Sequence, residues 1–531
     1  MDIKPVQPDE VHSKLKSGGE FAFLDVREHG VHAQGHPLFA VPVPASRFEL
    51  NIERLVPRKS VPVVLMGQDD RDPIALRAAE KMVALGYHDV AILEGGATGW
   101  HTAGFELFSG VNVPSKAFGE VVEEICETPH ISADDLSKRL QAAEDIIILD
   151  SRPFAEYNRM AIPGGIDMPG AELAYRVYET VPDESTTIVV NCAGRTRSII
   201  GAQSLINAGV KNPVVALENG TMGWYLAGFK PENGADRIAP APNKISHQKS
   251  LKAAQKLTRD LGIEVITPDK LRDFQSLPDR TVFLLDVRTA EEYETGHLEG
   301  AQHAPGGQLV QATDEYVGIK GAILVLYDDH HTRSHMTASW LKQMGWQDVY
   351  VLDEAGDLPL LSGPAALVSV PEFDQLSAME LQAVLFSGQP IAVIDLSPSL
   401  SYRRGHIPEA CWAIRSRLEN AVRFLPPVGM IILTADDVRV AHLAAPELLT
   451  AHPHLIVRVL EGGNDAWTAA GFEMEAGDGQ MLSELDDQWY KPYDNKDRIR
   501  ERMQEYLDWE TALIPQINRD GTTKFQVYKP E

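Results

Sequence analysis

Residues 146–152, Ile-Ile-Ile-Leu-Asp-Ser-Arg, decide how this chain folds. Three β-branched residues and a leucine run without interruption into an aspartate. That composition suits a central strand of a parallel sheet covered on both faces. The signature recurs as FAFLDVR at 21–27, VFLLDVR at 282–288 and IAVIDLS at 391–397. Three copies are followed by Gly-His, at Gly35-His36, Gly296-His297 and Gly405-His406, whereas the second has Met160-Ala161 there. Further along, each copy has a second apolar run, leading into Gly67, Cys192, Asp328 or Ala435. A third run closes three copies with a common ending: LEGGATGWHTAGF to Phe105, LENGTMGWYLAGF to Phe229 and LEGGNDAWTAAGF to Phe472. The third copy stops short, at VYVLDEAGDL over 349–358.

Helical stretches such as LRAAEKMVALG (76–86) and AQSLINAG (202–209) alternate with these strands. Such alternation predicts an α/β fold in which each repeat is a small parallel sheet with helices on both faces. At 531 residues the chain exceeds what one hydrophobic core organises. The intervals between Asp25, Asp150, Asp286 and Asp395 are domain-sized and far too long for a solenoid. Four tandem domains are therefore expected, at 1–115, 128–235, 263–366 and 372–475. The segment 236–262 reads as a linker ending in the amphipathic run SLKAAQKLTRDLG, which should divide the chain into two pairs of neighbours. Residues 476–531 form a C-terminal helical extension, in which DRIRERMQEYLDWETALIPQI (497–517) reads as one long amphipathic helix with no chemistry of its own.

Composition narrows the function. Hydrophobic residues at 44% and charged residues at 24% are ordinary for globular protein, and no stretch approaches the ~20 apolar residues of a membrane helix. The net charge of −27 works against binding to nucleic acid or anionic membrane. Three cysteines, Cys126, Cys192 and Cys411, lie far apart, so neither a disulfide framework nor a CxxC metal site is expected. An N-terminus without signal-peptide features, together with free thiols, points to the cytoplasm.

In the second copy the loop after the apolar run reads Cys192-Ala193-Gly194-Arg195-Thr196-Arg197-Ser198. A nucleophile placed where a buried strand ends and a helix begins meets converging N–H groups and the positive end of the helix dipole. Ala193 and Gly194 are small enough for the backbone to curl into a cradle, and Arg195 and Arg197 add permanent cations. A cysteine so placed is expected to have its pKa lowered from ~8.5 into the range of about 3.5–7.5, giving thiolate at neutral pH.

The order of LDxR, Gly-His, strand, cysteine loop, helix and LxGGxxxWxxxGF resembles the rhodanese family of sulfurtransferases, over nearly the whole chain to Phe472. The resemblance implies four rhodanese-like domains and a thiosulfate sulfurtransferase working through a Cys192 persulfide. Its partners would be a small anionic sulfur donor and a thiophilic acceptor such as cyanide or a thiol. By that resemblance Ala193, Gly194, Arg195, Thr196 and Arg197 would bind the donor, and neither cofactor nor metal would be needed. Asp150 and Arg152 read as structural, Asp150 holding the loop after its strand, with Arg152 lining the pocket as the alternative.

The other three loops place Gly67, Asp328 and Ala435 opposite Cys192 and carry Asp69-Asp70, Asp328-Asp329 and Asp436-Asp437, so they should be inactive. Arg71 and Arg333 there are expected to be structural, as are the Gly-His histidines and Trp100, Trp224 and Trp467. His330-His331 beside Asp328 is not expected to bind metal, because adjacent residues chelate one ion poorly. Two other readings stand beside the enzyme: a scaffold of degenerate domains in which Cys192 senses persulfide or oxidant, and a cysteine phosphatase. The phosphatase loop has five residues between Cys and Arg, whereas four separate Cys192 from Arg197, and Asn191 replaces its usual histidine. A homodimer is a further expectation, built on the acidic repeats and the long C-terminal helix.

Overall fold

Successive residues of a strand face opposite sides of its sheet, and in this protein both sides are core. In the second repeat Leu149, Ile188 and Val190 pack with Leu173, Val177 and Leu205, while Ile148 and Val189 pack on the other face with Leu136, Leu217 and Trp224. The same division sends Leu24 and Phe23, Leu285 and Leu284, and Ile394 and Val393 to opposite clusters in the other repeats. Continuous apolar runs follow from helices lying on both faces of each sheet. The computed structural model describes residues 3–495 and 497–530; residues 1–2 of the first expected unit and residues 496 and 531 of the extension lie outside the described residues.

Across the second sheet the strands run His130–Ile131, Val214–Leu217, Thr187–Asn191, Ile146–Asp150 and Ile166–Asp167, all parallel. The other repeats keep this order. The direction of chain progress reverses between Thr187–Asn191 and Ile146–Asp150, and α/β sheets hold ligands at the carboxyl ends of strands at such a reversal. Cys192 follows the first of these strands and Asp150 ends the second. In the third repeat the chain leaves Val349–Leu352 without a closing helix, and Leu360–Leu361 pairs antiparallel with His297–Leu298 instead.

The division into neighbouring pairs is overturned. One core cluster combines the first repeat (Leu24, Phe48, Leu65) with the third (Phe283, Leu309, Val351). The first repeat also meets the fourth, where Arg415 donates to Glu49 at 2.8 and 2.9 Å. The second repeat packs on the third so closely that a Cβ on Gly170 would stand 2.9 Å from the Cα of Gly307. The linker helix Lys244–Asp260 lies in this junction, with Ala254 and Leu257 packed against Ala174 and Met336.

The extension also differs from the single long helix. Ile499–Thr511 and Leu513–Asp520 are separate helices, joined at Ala512. Ahead of them Gln480–Met481 joins the edge of the fourth sheet, and Gly30 of the first repeat donates to Asp486 O at 2.9 Å. Beyond them Tyr528 N donates to Gln343 Oε1 of the third repeat at 2.7 Å. The extension thus packs on its own chain. Among the described residues no helix is long and apolar enough to cross a membrane.

Candidate active site

The strand Thr187–Asn191 delivers Cys192 to a loop that ends at the helix Thr196–Asn207. Asn191 anchors the strand end by donating to Asp150 Oδ2 at 2.7 Å and Thr221 Oγ1 at 3.1 Å. Thr221 in turn donates to Cys192 O from its amide at 2.8 Å and its hydroxyl at 3.0 Å. This approach needs Gly220, whose φ is +53° and where a Cβ would meet Cys192 O at 2.4 Å. Among the described residues the N–H groups of Ala193 to Arg197 have no acceptor, so the loop presents them as an open cradle. Cys192 Sγ lies 3.6 Å from Ser198 Oγ and is buried, with only 2% of the residue exposed.

The loop opens into a cavity of about 280 Å³ lined by Cys192 to Arg197 together with Lys116, Glu156, Lys491 and Glu510. Of the expected site residues, Ala193, Gly194, Arg195, Thr196 and Arg197 are all brought to this cavity. Arg152 is not: it is buried, donates to both carboxylate oxygens of Asp150 at 2.8 and 2.7 Å and to Met160 O at 2.6 Å, and so braces the strand end. The two loop arginines are also already paired. Arg197 donates to Glu156 at 2.8 Å, and Glu156 accepts from Lys491 as well, at 3.0 Å. Arg195 donates to Glu120 at 2.8 and 2.9 Å and to Glu123.

That pairing changes the expected state of the thiol. Burial pushes the Cys192 thiol up from its ordinary value; Arg197 and the hydrogen bond to Ser198 oppose this, and Glu510 adds to it. The expected lowering is therefore not found, because the cations are matched by carboxylates while the sulfur is buried.

The extension, to which no chemistry was assigned, forms one wall. A Cβ on Gly194 would stand 2.9 Å from Glu510 Oε2 and 3.2 Å from Tyr506. Lys116 is buried with its ammonium 5.4–5.7 Å from the ring centroids of Trp489, Tyr506 and Trp509, and burial lowers its pKa to about 8. One signal for this wall was present in the sequence: Met503, Leu507 and Glu510 fall on one helical face, which puts a carboxylate in an apolar stripe.

The loop of the third repeat, which has no cysteine, is closed differently. At the position of Cys192, Asp328 accepts from Ser334 N at 2.6 Å and His330 N at 2.8 Å, with Arg333 Nε 3.8 Å away. Burial works against the ionised Asp328, yet Arg333 and these amides hold its pKa below the ordinary value. Arg333 is structural as expected, fully buried and bridging Glu292 to Glu172 of the second repeat. His36, His297 and His406 are core residues bonded through Nδ1 to the carbonyls of His32, Tyr293 and Tyr402. Trp100, Trp224 and Trp467 donate to Glu106, Lys230 and Glu473 carbonyls from inside their domains.

A buried cysteine in an amide cradle at the carboxyl edge of a five-stranded parallel sheet defines a class of covalent, anion-handling site. The family model of the rhodanese-like domain matches residues 7–103, 132–227, 267–355 and 377–470, and the chain belongs to that family. It is similar to a thiosulfate sulfurtransferase of Pseudomonas aeruginosa, whose crystal structure superposes with a TM-score of 0.95 at 44% identity, covering 99% of this chain and 100% of that one. Thiosulfate sulfurtransferase GlpE of Pseudomonas fluorescens is 30% identical over 98 residues, 18% of this chain and 85% of that protein. An HTH-type transcriptional regulator of Mycobacterium tuberculosis is 34% identical over 105 residues, 20% of this chain; the chain spans 45% of that regulator's length.

Proposed function

We propose that the protein is a sulfurtransferase that moves sulfane sulfur from thiosulfate, or a similar anionic donor, to a thiophilic acceptor through a persulfide on Cys192. The observation that carries this reading is the open amide cradle around the one cysteine among the four aligned loop positions. Thiolate Sγ attacks the outer sulfur of the donor, the donor's S–S bond breaks, and sulfite leaves with the bonding pair. The new persulfide anion is held by the N–H groups of Ala193 to Arg197. Arg197, Lys491 and Lys116, which line the cavity, supply positive potential to the donor's sulfonate. Cyanide or a thiol then attacks the outer sulfur, and Cys192 departs as thiolate. Two separate half-reactions make the kinetics ping-pong.

Among the expected units, 128–235 is the working one, and 1–115, 263–366 and 372–475 hold it and the extension in place. The working compartment is the cytoplasm, where the thiols stay reduced, and nucleic acid is not a partner of so acidic a chain. The test is thiocyanate formation from thiosulfate and cyanide by the purified chain and by Cys192→Ala. Activity that vanishes in the variant supports the reading. Activity that survives in the variant removes Cys192 as the sulfur carrier, and its absence from the wild type with every donor leaves the scaffold in its place.

A further inference from the structure

We infer that Glu510 holds the proton that leaves Cys192, keeping it on Oε2 while the sulfur is carried as the persulfide. The inference rests on the sulfur-transfer reading and adds to it a group from outside the four family-matched segments, the last of which ends at residue 470.

Geometry carries it. Glu510 is 1% exposed. Its Oε1 accepts from Tyr506 at 3.0 Å and Thr196 at 3.3 Å, which fixes the carboxylate against the first residue of the catalytic helix. Its Oε2 is buried with no hydrogen-bond partner and lies over Gly194, where any side chain would collide with it. A buried carboxylate oxygen left unpaired is costly, and here it lines the same cavity as the nucleophile.

The groups that face Glu510 do not neutralise it fully. Lys116 and Glu120 approach from the helix Val113–Cys126, Arg195 from the loop, and Tyr506 from its own helix. Arg195 is engaged by Glu120 and Glu123, and Arg197 by Glu156. Burial raises the affinity of Glu510 for a proton, with Glu120 adding to it, and burial likewise raises that of Cys192. Two buried acids whose charges repel share one proton more readily than they lose both.

Sγ is hydrogen-bonded to Ser198 Oγ and not to Oε2, so the proton crosses the shared cavity by way of solvent. Its arrival on Oε2 leaves a thiolate and a neutral carboxylic acid lining one cavity, with the charge of the pair unchanged. A doubly charged donor then meets one negative charge rather than two. When sulfite has left, the persulfide anion takes the place of the thiolate and the proton stays on Glu510. Release of sulfur to the acceptor restores the thiolate, and the proton returns to it.

The test is single-turnover persulfide formation with thiosulfate, measured across pH on the full chain, for wild type, Glu510→Gln and Glu510→Asp. In E510Q the rate at neutral pH should fall by about 100-fold and recover toward wild type at alkaline pH, where solvent takes the proton. E510D should restore part of the neutral rate. Recovery at high pH also shows that the variant is folded. An unchanged neutral rate, or a loss of the same factor at every pH, overturns the inference. Absence of persulfide in the wild type instead removes the sulfur-transfer reading, and the role of Glu510 with it.

Discussion

The Cys192 and Asp328 loops hold the same place in their repeats but differ in backbone, with φ −116° at Arg195 against +57° at its counterpart His331. Each follows the fourth strand of its sheet and opens a helix, and each has an arginine five residues on, paired to a glutamate: Arg197 with Glu156 at 2.8 Å and Arg333 with Glu292 at 2.6 Å. Each is braced by an aspartate and arginine at the end of the neighbouring strand, Asp150 with Arg152 and Asp286 with Arg288. In the third repeat the protein supplies the anion itself, as the Asp328 carboxylate on the amides of Ser334 and His330. In the second repeat Cys192 stands at the position of Asp328, and Ser198 N, the counterpart of Ser334 N, donates to Arg195 O at 3.1 Å. On the proposed reading the Cys192 loop takes the anion of a substrate where the Asp328 loop holds its own carboxylate.

Replacing Cys192 with Asp breaks the comparison most severely. It should cost at least ~1000-fold in thiocyanate formation, while the thermal midpoint stays near that of wild type because the new carboxylate meets the loop amides as Asp328 does. A variant that fails to fold would mean that the two cradles are not equivalent.

The fourth repeat sharpens the comparison from another side, because Ser397 stands where Arg27, Arg152 and Arg288 brace the other strand ends. Without that cation, burial raises the pKa of Asp395 to about 6, against hydrogen bonds from Ser397 and Asn464. A raised carboxylate pKa contributes stability below the unfolded pKa of about 4, and this is lost as pH rises through 6. Asp395→Asn should therefore gain on the wild type between pH 4 and pH 7, by about 3 kcal/mol, in urea denaturation at each pH. A constant difference would contradict the assignment.

A smaller effect is expected from Asp328→Ala. Loss of the carboxylate leaves the amides of Ser334 and His330 unpaired and should cost about 2 kcal/mol in the same denaturation measurement. Arg333 keeps Glu172 and Glu292, so sulfur transfer at Cys192 should change little.

What could be read from the sequence was local. Strand, cysteine loop and helix are contiguous, so their order and the convergence on Cys192 follow from residues within a few positions of one another. The short third repeat was legible for the same reason. The rest depends on contacts across hundreds of residues. Nothing near Arg195 in the chain announces Glu120, and nothing near Cys192 announces Glu510, so the cradle was read as more cationic than it is. The placing of the first repeat against the third and fourth comes from matching apolar surfaces that have no sequence neighbourhood. Arg152 stayed open between two roles because an arginine two residues past a strand end suits either a pocket or a brace, and the buried pairing with Asp150 favours the brace.

The most direct test of the central claim is the mass of the intact protein after treatment with thiosulfate, followed by peptide mapping. The account predicts a gain of one sulfur atom, carried by Cys192 and removed by cyanide. No gain, or a gain on Cys126 or Cys411 instead, would contradict it.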